Sequence, residues 1–219
     1  KWDISTAKQV DKIIVNSNFV NLRVKKFWNR ESDIVHPPVN IDDFYISNEI
    51  KDYYLILSQL VQYKRVDIAI DAFNKSNKKL IVIGEGDELE VLKNKANKNI
   101  QFIGWQNDNK KKKILSNCKA LIFPGIEDFG IVPIESMASG RPVIAFKEGG
   151  ALDYIEDNLN GVFFHPQNSD SLNKAITYFE NNINFFHSNK IKESVFKFKD
   201  SLFKKKIKEI IDRSLLDNE

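Results

Sequence analysis

Short apolar runs alternate with stretches of helical period along nearly the whole chain, the pattern of a parallel sheet joined by crossover helices. The runs predict strands over 12–15, 33–35, 53–58, 79–83, 100–102, 120–123, 142–145 and 161–163. Between them, helices are predicted near 18–28, 65–75, 87–97, 108–117, 131–138, 149–154, 169–182 and 200–215. In one of these, Ile68, Ala72 and the pair Ile70 and Phe73 form a single apolar stripe. Residues 37–52, with Pro37-Pro38 and Asp42-Asp43, read as a loop or linker. The chain ends in a segment with Phe196, Phe198, Phe203, Ile207, Ile210 and Ile211 at mixed spacing, as in a core helix. The fold class implied is α/β, a parallel sheet with helices on both faces.

The segment ALIFPGIEDFGIVPIESMASGRPVIA carries the most chemistry. An apolar strand runs into Pro124-Gly125, then an acidic turn, then a helix in whose first turn Pro133 fits because its missing N–H would be unpaired there anyway. Such a step aims free backbone N–H groups and the positive end of a helix dipole above the sheet, where a phosphate is the usual guest. Glu127 and Glu135 flank that helix start, eight residues apart. Glu127 is placed to reach over the loop, and Glu135 to accept two hydrogen bonds from a diol. One carboxylate for a hexose, one for a ribose and the amides of Phe129, Gly130, Ile131 and Val132 for a diphosphate suit a sugar nucleotide. Asp128 beside Glu127 reads either as half of an acid/base dyad or as a helix cap, and the loop position favours the cap.

The same residues resemble a known family. E-x7-E between strand and helix, followed by Ser139-Gly140-Arg141-Pro142-Val143-Ile144 and Gly149-Gly150, is similar to family 4 of the retaining glycosyltransferases. Within it the likeness is to bacterial O-antigen mannosyltransferases. WDISTAKQVDKIIVNSNFV, IVHPPVNIDDF, LSQLVQYKRVDIAIDAF, LIVIGEGDEL and IQFIGW have counterparts in order, so the resemblance covers nearly the whole chain. It implies a Rossmann-like C-terminal half of a two-domain GT-B enzyme. Residues 1–40 would lead from a missing N-terminal acceptor domain, 41–190 would form the nucleotide-sugar-binding domain, and 191–219 a C-terminal helix crossing back.

The resemblance also implies roles. Glu127 and Lys64 become the catalytic candidates, with Glu127 positioning the sugar and Lys64 neutralising the leaving diphosphate. The family places an arginine just after the strand at 53–58 and a lysine five residues later; Lys64 matches the lysine, whereas Gln59 stands in the arginine's place. An amide cannot replace a bidentate guanidinium. Arg65 either compensates or simply begins the next helix. Gly84 opens the family's GxG turn, although Leu89 spoils any likeness to a dinucleotide fingerprint. The backbone around Trp105 and Gln106 borders the nucleobase by resemblance, while Trp105 also reads as an ordinary half-buried aromatic. Gly149-Gly150 either leads a short helix facing the donor or is only a turn. The implied donor is GDP-mannose, with retention of configuration, transfer to a glycan or lipid-linked acceptor, and no metal or other cofactor.

Composition narrows the alternatives. The chain has 219 residues, 42% hydrophobic and 29% charged, enough for one large core plus appendages. A formal net charge of only +3 gives no strong case for nucleic acid, and none is expected as a partner. Lysine clusters at 110–113, 190/192 and 204–208 read as solvated helix faces, or as attraction to an anionic membrane leaflet. The single Cys118 fits a reducing compartment and a packed thiol. His36, His165 and His187 lack metal-ligand spacing. No membrane span or signal peptide is read, so a cytoplasmic enzyme, peripheral on the inner membrane face, is expected. Because half the cleft would be missing, residues 1–219 alone are expected to transfer nothing. A noncatalytic nucleotide-sugar-binding partner subunit is the second reading, favoured by Gln59. A nucleotide-sugar epimerase is the third, against which E-x7-E with EDFG argues.

Overall fold

A computed structural model describes residues 2–216. Among them a six-stranded parallel sheet is built from β3 (Tyr54–Leu57), β4 (Leu80–Ile83), β5 (Ile100–Phe102), β6 (Leu121–Phe123), β7 (Val143–Phe146) and β8 (Gly161–Phe164). Its spatial order is β5-β4-β3-β6-β7-β8. The chain therefore works outward from β3 to one edge, returns to the centre at β6, and works outward to the other. β1 (Ile14–Val15) and β2 (Asp33–Ile34) pair in parallel with each other as a separate two-stranded ribbon.

Strand residues alternate between two cores, which is why near-continuous apolar runs suffice to specify the sheet. Tyr54, Ile56, Ile122, Ile144 and Phe146 point into one cluster, which α3 (Val66–Ser76), α4 (Leu89–Lys95) and α7 (Ser169–Asn181) cover. Tyr53, Leu55, Leu121, Phe123, Val143 and Ala145 point into the other, under α5 (Asp108–Asn117), α6 (Ile131–Ala138) and α8 (Ser188–Glu193). The stripe expected on α3 is fully packed, with Ile68, Ile70, Ala72 and Phe73 all buried. Cys118 is a packed thiol in the second core, and burial pushes its pKa up to about 12.

Several elements differ from the sequence pattern. The segment 149–154 is not an α-helix but a 3-10 turn, Gly149–Asp153. α1 (Trp2–Ala7) and α8 were not expected; α8 is short and polar, and within it only Ile191 is buried. α9 (Asp200–Leu216) follows as a long helix, preceded by Val195 and Phe198, which pack in the second core. Its own Ile210 is buried, and Arg213 comes within 3.9 Å of Asp33 in β2. Ile211, Leu215 and Leu216 face solvent. No helix among the described residues is long and apolar enough to cross a membrane.

Leu121 is completely buried in a central strand and pairs with Leu55 and Val143. Leu121→Ala should lower unfolding free energy by about 2–5 kcal/mol, read as a fall in the urea midpoint at constant slope.

Candidate functional site

In a doubly wound sheet the ligand crevice opens beyond the carboxyl ends of the strands where the order reverses. Here that point lies between β3 and β6, which share a single registered pair, Leu55 and Leu121. Two cavities open there, separated by a common wall of Leu57, Ser58, Gln59 and Val132. The first, about 410 Å³, is bounded by Asn16, Pro37, Lys64 and residues 127–131. The second, about 470 Å³, is bounded by Ile83, Gly84, Glu85, Trp105, Gln106, Asp108, Lys111 and Glu135.

Lys64 ends a 3-10 turn after β3, and the loop after β6 passes hard against it. A side chain at Gly125 would meet the Lys64 carbonyl oxygen at 2.8 Å and its Cα at 2.9 Å, so only glycine allows the approach. The approach lets Lys64 Nζ donate to Glu127 Oε1 in an ion pair whose side chains are only 14% and 23% exposed. The Gly150 N–H donates to the Glu127 carbonyl at 2.8 Å, and the Tyr154 hydroxyl to the Phe129 carbonyl at 2.7 Å. The Phe129 ring is buried against Tyr154 and Phe198, so this residue lines the cavity chiefly through its backbone. Gly130, at φ 88°, starts α6 with no side-chain cap. The first amides of the helix therefore belong to residues on the wall of the first cavity, with the positive dipole end behind them.

Glu135 stands on the wall of the second cavity, with its side chain 15% exposed. Burial pushes its pKa up; the Lys111 ammonium, 3.7 Å away, pulls the other way. Trp105 is 73% exposed at the rim and backed by no core, which removes the half-buried alternative. At Gly84, φ 144°, a Cβ would fall 1.8 Å from the Ser58 carbonyl, so glycine is needed for the β4 loop to close on the β3 loop.

Glu127 and Glu135 line two adjoining hollows of one crevice. Two expectations change. Asp128 caps nothing: its carboxylate meets Arg23 Nη1 at 2.7 Å, and Gly130 takes the cap position. Arg65 lies in neither cavity and stands instead at the start of α3, the second of its two readings. Its backbone is left-handed, φ 53°, and its guanidinium donates to Asp67 at 3.1 and 3.2 Å and to Gln167 at 3.2 Å. It faces a different hollow, with Val61, Tyr63 and Glu88. Gln59 thus has no neighbouring guanidinium from Arg65. The Gly149-Gly150 pair sits in a turn pressed against the backbone of residues 127–129.

Sequence reasoning missed Lys111, hidden in a run of four lysines, although it lies four residues before the buried Leu115 and so on the inward face. It also missed His36 and Asp153. His36 Nε2 lies 3.0 Å from Asp153 Oδ2, which also accepts the Asn18 N–H at 2.7 Å, and the imidazole stacks on Phe129 at 5.5 Å. Among the described residues no group of three or more His, Cys, Asp or Glu side chains is arranged to hold a metal ion.

The strand order and the crevice at its reversal define a doubly wound α/β protein. More specifically, the chain belongs to the glycosyl transferases of group 1, whose family model matches residues 40–196. It is 26% identical over 214 residues to the alpha-1,3/1,6-mannosyltransferase ALG2 of Dictyostelium discoideum, covering 74% of this chain and 51% of that protein. To O-antigen chain mannosyltransferase C of Escherichia coli it is 28% identical over 139 residues, 60% of this chain and 38% of the relative. The chain thus spans about half the length, or less, of the curated relatives it matches. In fold it superposes on Anabaena HepE, solved with UDP and glucose, with a TM-score of 0.84 at 19% identity over 96% of this chain and 67% of that one. The sheet and its helices are those of the C-terminal half of GT-B glycosyltransferases.

Tyr154→Phe should cost about 1–3 kcal/mol in thermal or chemical unfolding, because the buried Phe129 carbonyl loses its donor. Overall secondary structure by circular dichroism should not change.

Proposed function

We propose that the chain is the donor-binding half of a retaining hexosyltransferase that uses a nucleoside diphosphate sugar. The observation that carries this reading is the Lys64–Glu127 pair beside the uncapped start of α6, at the switch point of the sheet. A diphosphate there would take the Lys64 ammonium and the first amides of α6, and Glu127, released from Lys64, would accept hydroxyl hydrogen bonds from the hexose. Glu135 in the neighbouring cavity would take the ribose diol, with Trp105 and Gln106 at the base. The common wall at Gln59 and Val132 is the bridge between the two ends of the donor.

In a front-face reaction the acceptor hydroxyl attacks the anomeric carbon as the bond from that carbon to the diphosphate oxygen breaks. The hydroxyl proton passes to the departing phosphate oxygen. Lys64 and the helix N-terminus stabilise the charge that develops there, the electrostatic contribution that commonly dominates such catalysis. Mannose from GDP-mannose is the donor proposed, supported by the mannosyltransferase names of two relatives. The acceptor, a glycan or lipid-linked sugar, would be held by a preceding domain. Residues 1–40 would lead from that domain, 41–190 bind the donor, and 191–219 return to it. Contact with an anionic leaflet would use the lysine runs, but on α9 Lys204, Lys205 and Lys208 already face Asp200, Glu209 and Asp212.

A noncatalytic nucleotide-sugar-binding subunit is the second reading. Gln59 favours it, because Arg65 is engaged elsewhere. The two readings separate on binding and turnover. Calorimetry with GDP, UDP and ADP should show binding, GDP strongest, and Lys64→Ala should weaken it by about 1.5–3 kcal/mol, the worth of a hydrogen bond to a charged group. Glu127→Gln should leave nucleoside diphosphate binding nearly intact and abolish sugar transfer by the full-length protein. Transfer unchanged in Glu127→Gln would exclude the assigned role.

Gln59→Arg should tighten diphosphate binding by about 1–3 kcal/mol, with free nucleoside affinity changed much less. Arg65→Ala should leave both unaltered. A costly Arg65→Ala with an inert Gln59→Arg would show that Arg65 fills the arginine's place, and no change in GDP affinity from either substitution in a folded protein would show that the phosphates are not held at this edge.

A further inference from the structure

Two cations line the two cavities, Lys64 the first and Lys111 the second. Lys111 sits on α5, four residues from the cap residue Asn107, whose side chain accepts the Lys110 N–H and fixes where the helix starts. That start turns Lys111 toward α6, where its ammonium lies 3.7 Å from Glu135 Oε1 and 3.3 Å from Asp108 Oδ1. Its side chain is 23% exposed, far less than a lysine on a solvated face. The three other lysines of the run do not approach Glu135 so closely; Lys112, for example, turns to Asp43 at 3.2 Å.

We propose that Lys111 is a positioning residue for nucleotide binding: its ammonium keeps the withdrawn Glu135 carboxylate ionised and aimed, so that Glu135 can accept both hydrogen bonds of a ribose diol. The inference rests on the donor-site reading of the second cavity. A protonated carboxyl keeps one oxygen as a donor and cannot accept a diol with both, whereas a carboxylate accepts at both oxygens. Burial alone favours the protonated form. The opposing cation within about 4 Å offsets part of that rise, although burial still sets the net direction. The other charges facing Glu135 do not do this work. Asp108 opposes ionisation, Lys112 contributes weakly from the same helix, and Glu85 across the cavity is itself an acid.

Without Lys111 the pKa of Glu135 rises, so nucleotide binding that needs the carboxylate is present at high pH and lost as pH falls through the new, higher value. An opposite charge at this distance lowers a carboxyl pKa by roughly one unit or more, with Lys111 partly exposed and so screened.

The test is GDP affinity by calorimetry from pH 5.5 to 8.5 in the wild type, Lys111→Met, Lys111→Arg, Glu135→Gln and the double variant. Lys111→Met should bind within about threefold of wild type at pH 8.5 and fall progressively below it towards pH 5.5, by up to about tenfold, its acid limb moved up by about one pH unit. Lys111→Arg should restore the wild-type profile. Glu135→Gln should be weak and flat with pH, and adding Lys111→Met to it should change nothing further. An equal loss at every pH in Lys111→Met would overturn the inference, because the lysine would then touch the nucleotide itself. So would a wild-type profile in Lys111→Met alongside a weakened Glu135→Gln, which leaves the donor site standing. Unchanged affinity in Glu135→Gln, or no binding of GDP or UDP by the wild type, would instead sink the donor-site reading and the inference with it. Circular dichroism on each variant separates loss of binding from loss of fold.

Discussion

The reversal of strand order between β3 and β6 is the constraint on which the crevice depends. The two strands share one registered pair, and beyond it their chains part, one toward residues 58–65 and the other toward 124–130. Above the sheet they meet again, at the close passage of Gly125 over Lys64 and in the Lys64–Glu127 pair. A pair so far withdrawn from water is not chiefly a source of stability, because desolvating two charges offsets much of their attraction. Its consequence is geometric: it holds both loops in place with an ammonium and a carboxylate already at the cavity wall. On the proposed function, the same pair is the one an incoming diphosphate would exchange, so the site is preorganised by a contact that binding replaces.

Most of the sheet was legible because buried parallel strands need only continuous apolar runs, and runs such as Leu121–Phe123 have no other use. The ends of elements were less so. Gly149–Asp153 looked helical in isolation, yet its glycines are there to let the turn press against residues 127–129, a contact that local periodicity does not contain. α8 was invisible because within it a single buried residue, Ile191, anchors an otherwise polar segment.

The site was legible where backbone geometry dictates chemistry, and opaque where side-chain direction does. Glycines, the proline at the start of α6 and the spacing of the two glutamates follow from a strand–turn–helix step, and all fall around the crevice. Arg65 and Asp128 failed for a common reason: each is adjacent in sequence to a site residue but points elsewhere, Arg65 because of a left-handed backbone and the acceptors Asp67 and Gln167, Asp128 because of Arg23 on α2 (Asn18–Trp28). Lys111 failed in the opposite sense, since its charge run suggested solvent while its helix phase pointed inward.

The two cavities also differ in what builds them. The second is walled entirely by the sheet domain: the loops after β3, β4 and β5, with α5 and α6. The first is incomplete without Asn16 and Pro37, which flank β1, α2 and β2. That segment is tied to the loops beneath it by unequal contacts. The Arg23–Asp128 pair is half exposed on both sides, and such pairs contribute little, about 0–1 kcal/mol. Asp153, its side chain only 10% exposed, receives both the Asn18 N–H and His36, and the His36 ring stacks on Phe129. Hydrogen bonds to a carboxylate so shielded are the stronger tie. Asp153, and not the more conspicuous Arg23 pair, therefore fixes where the preceding segment sits. A displacement of that segment would reshape the Glu127 side of the crevice and leave the Glu135 side as it is.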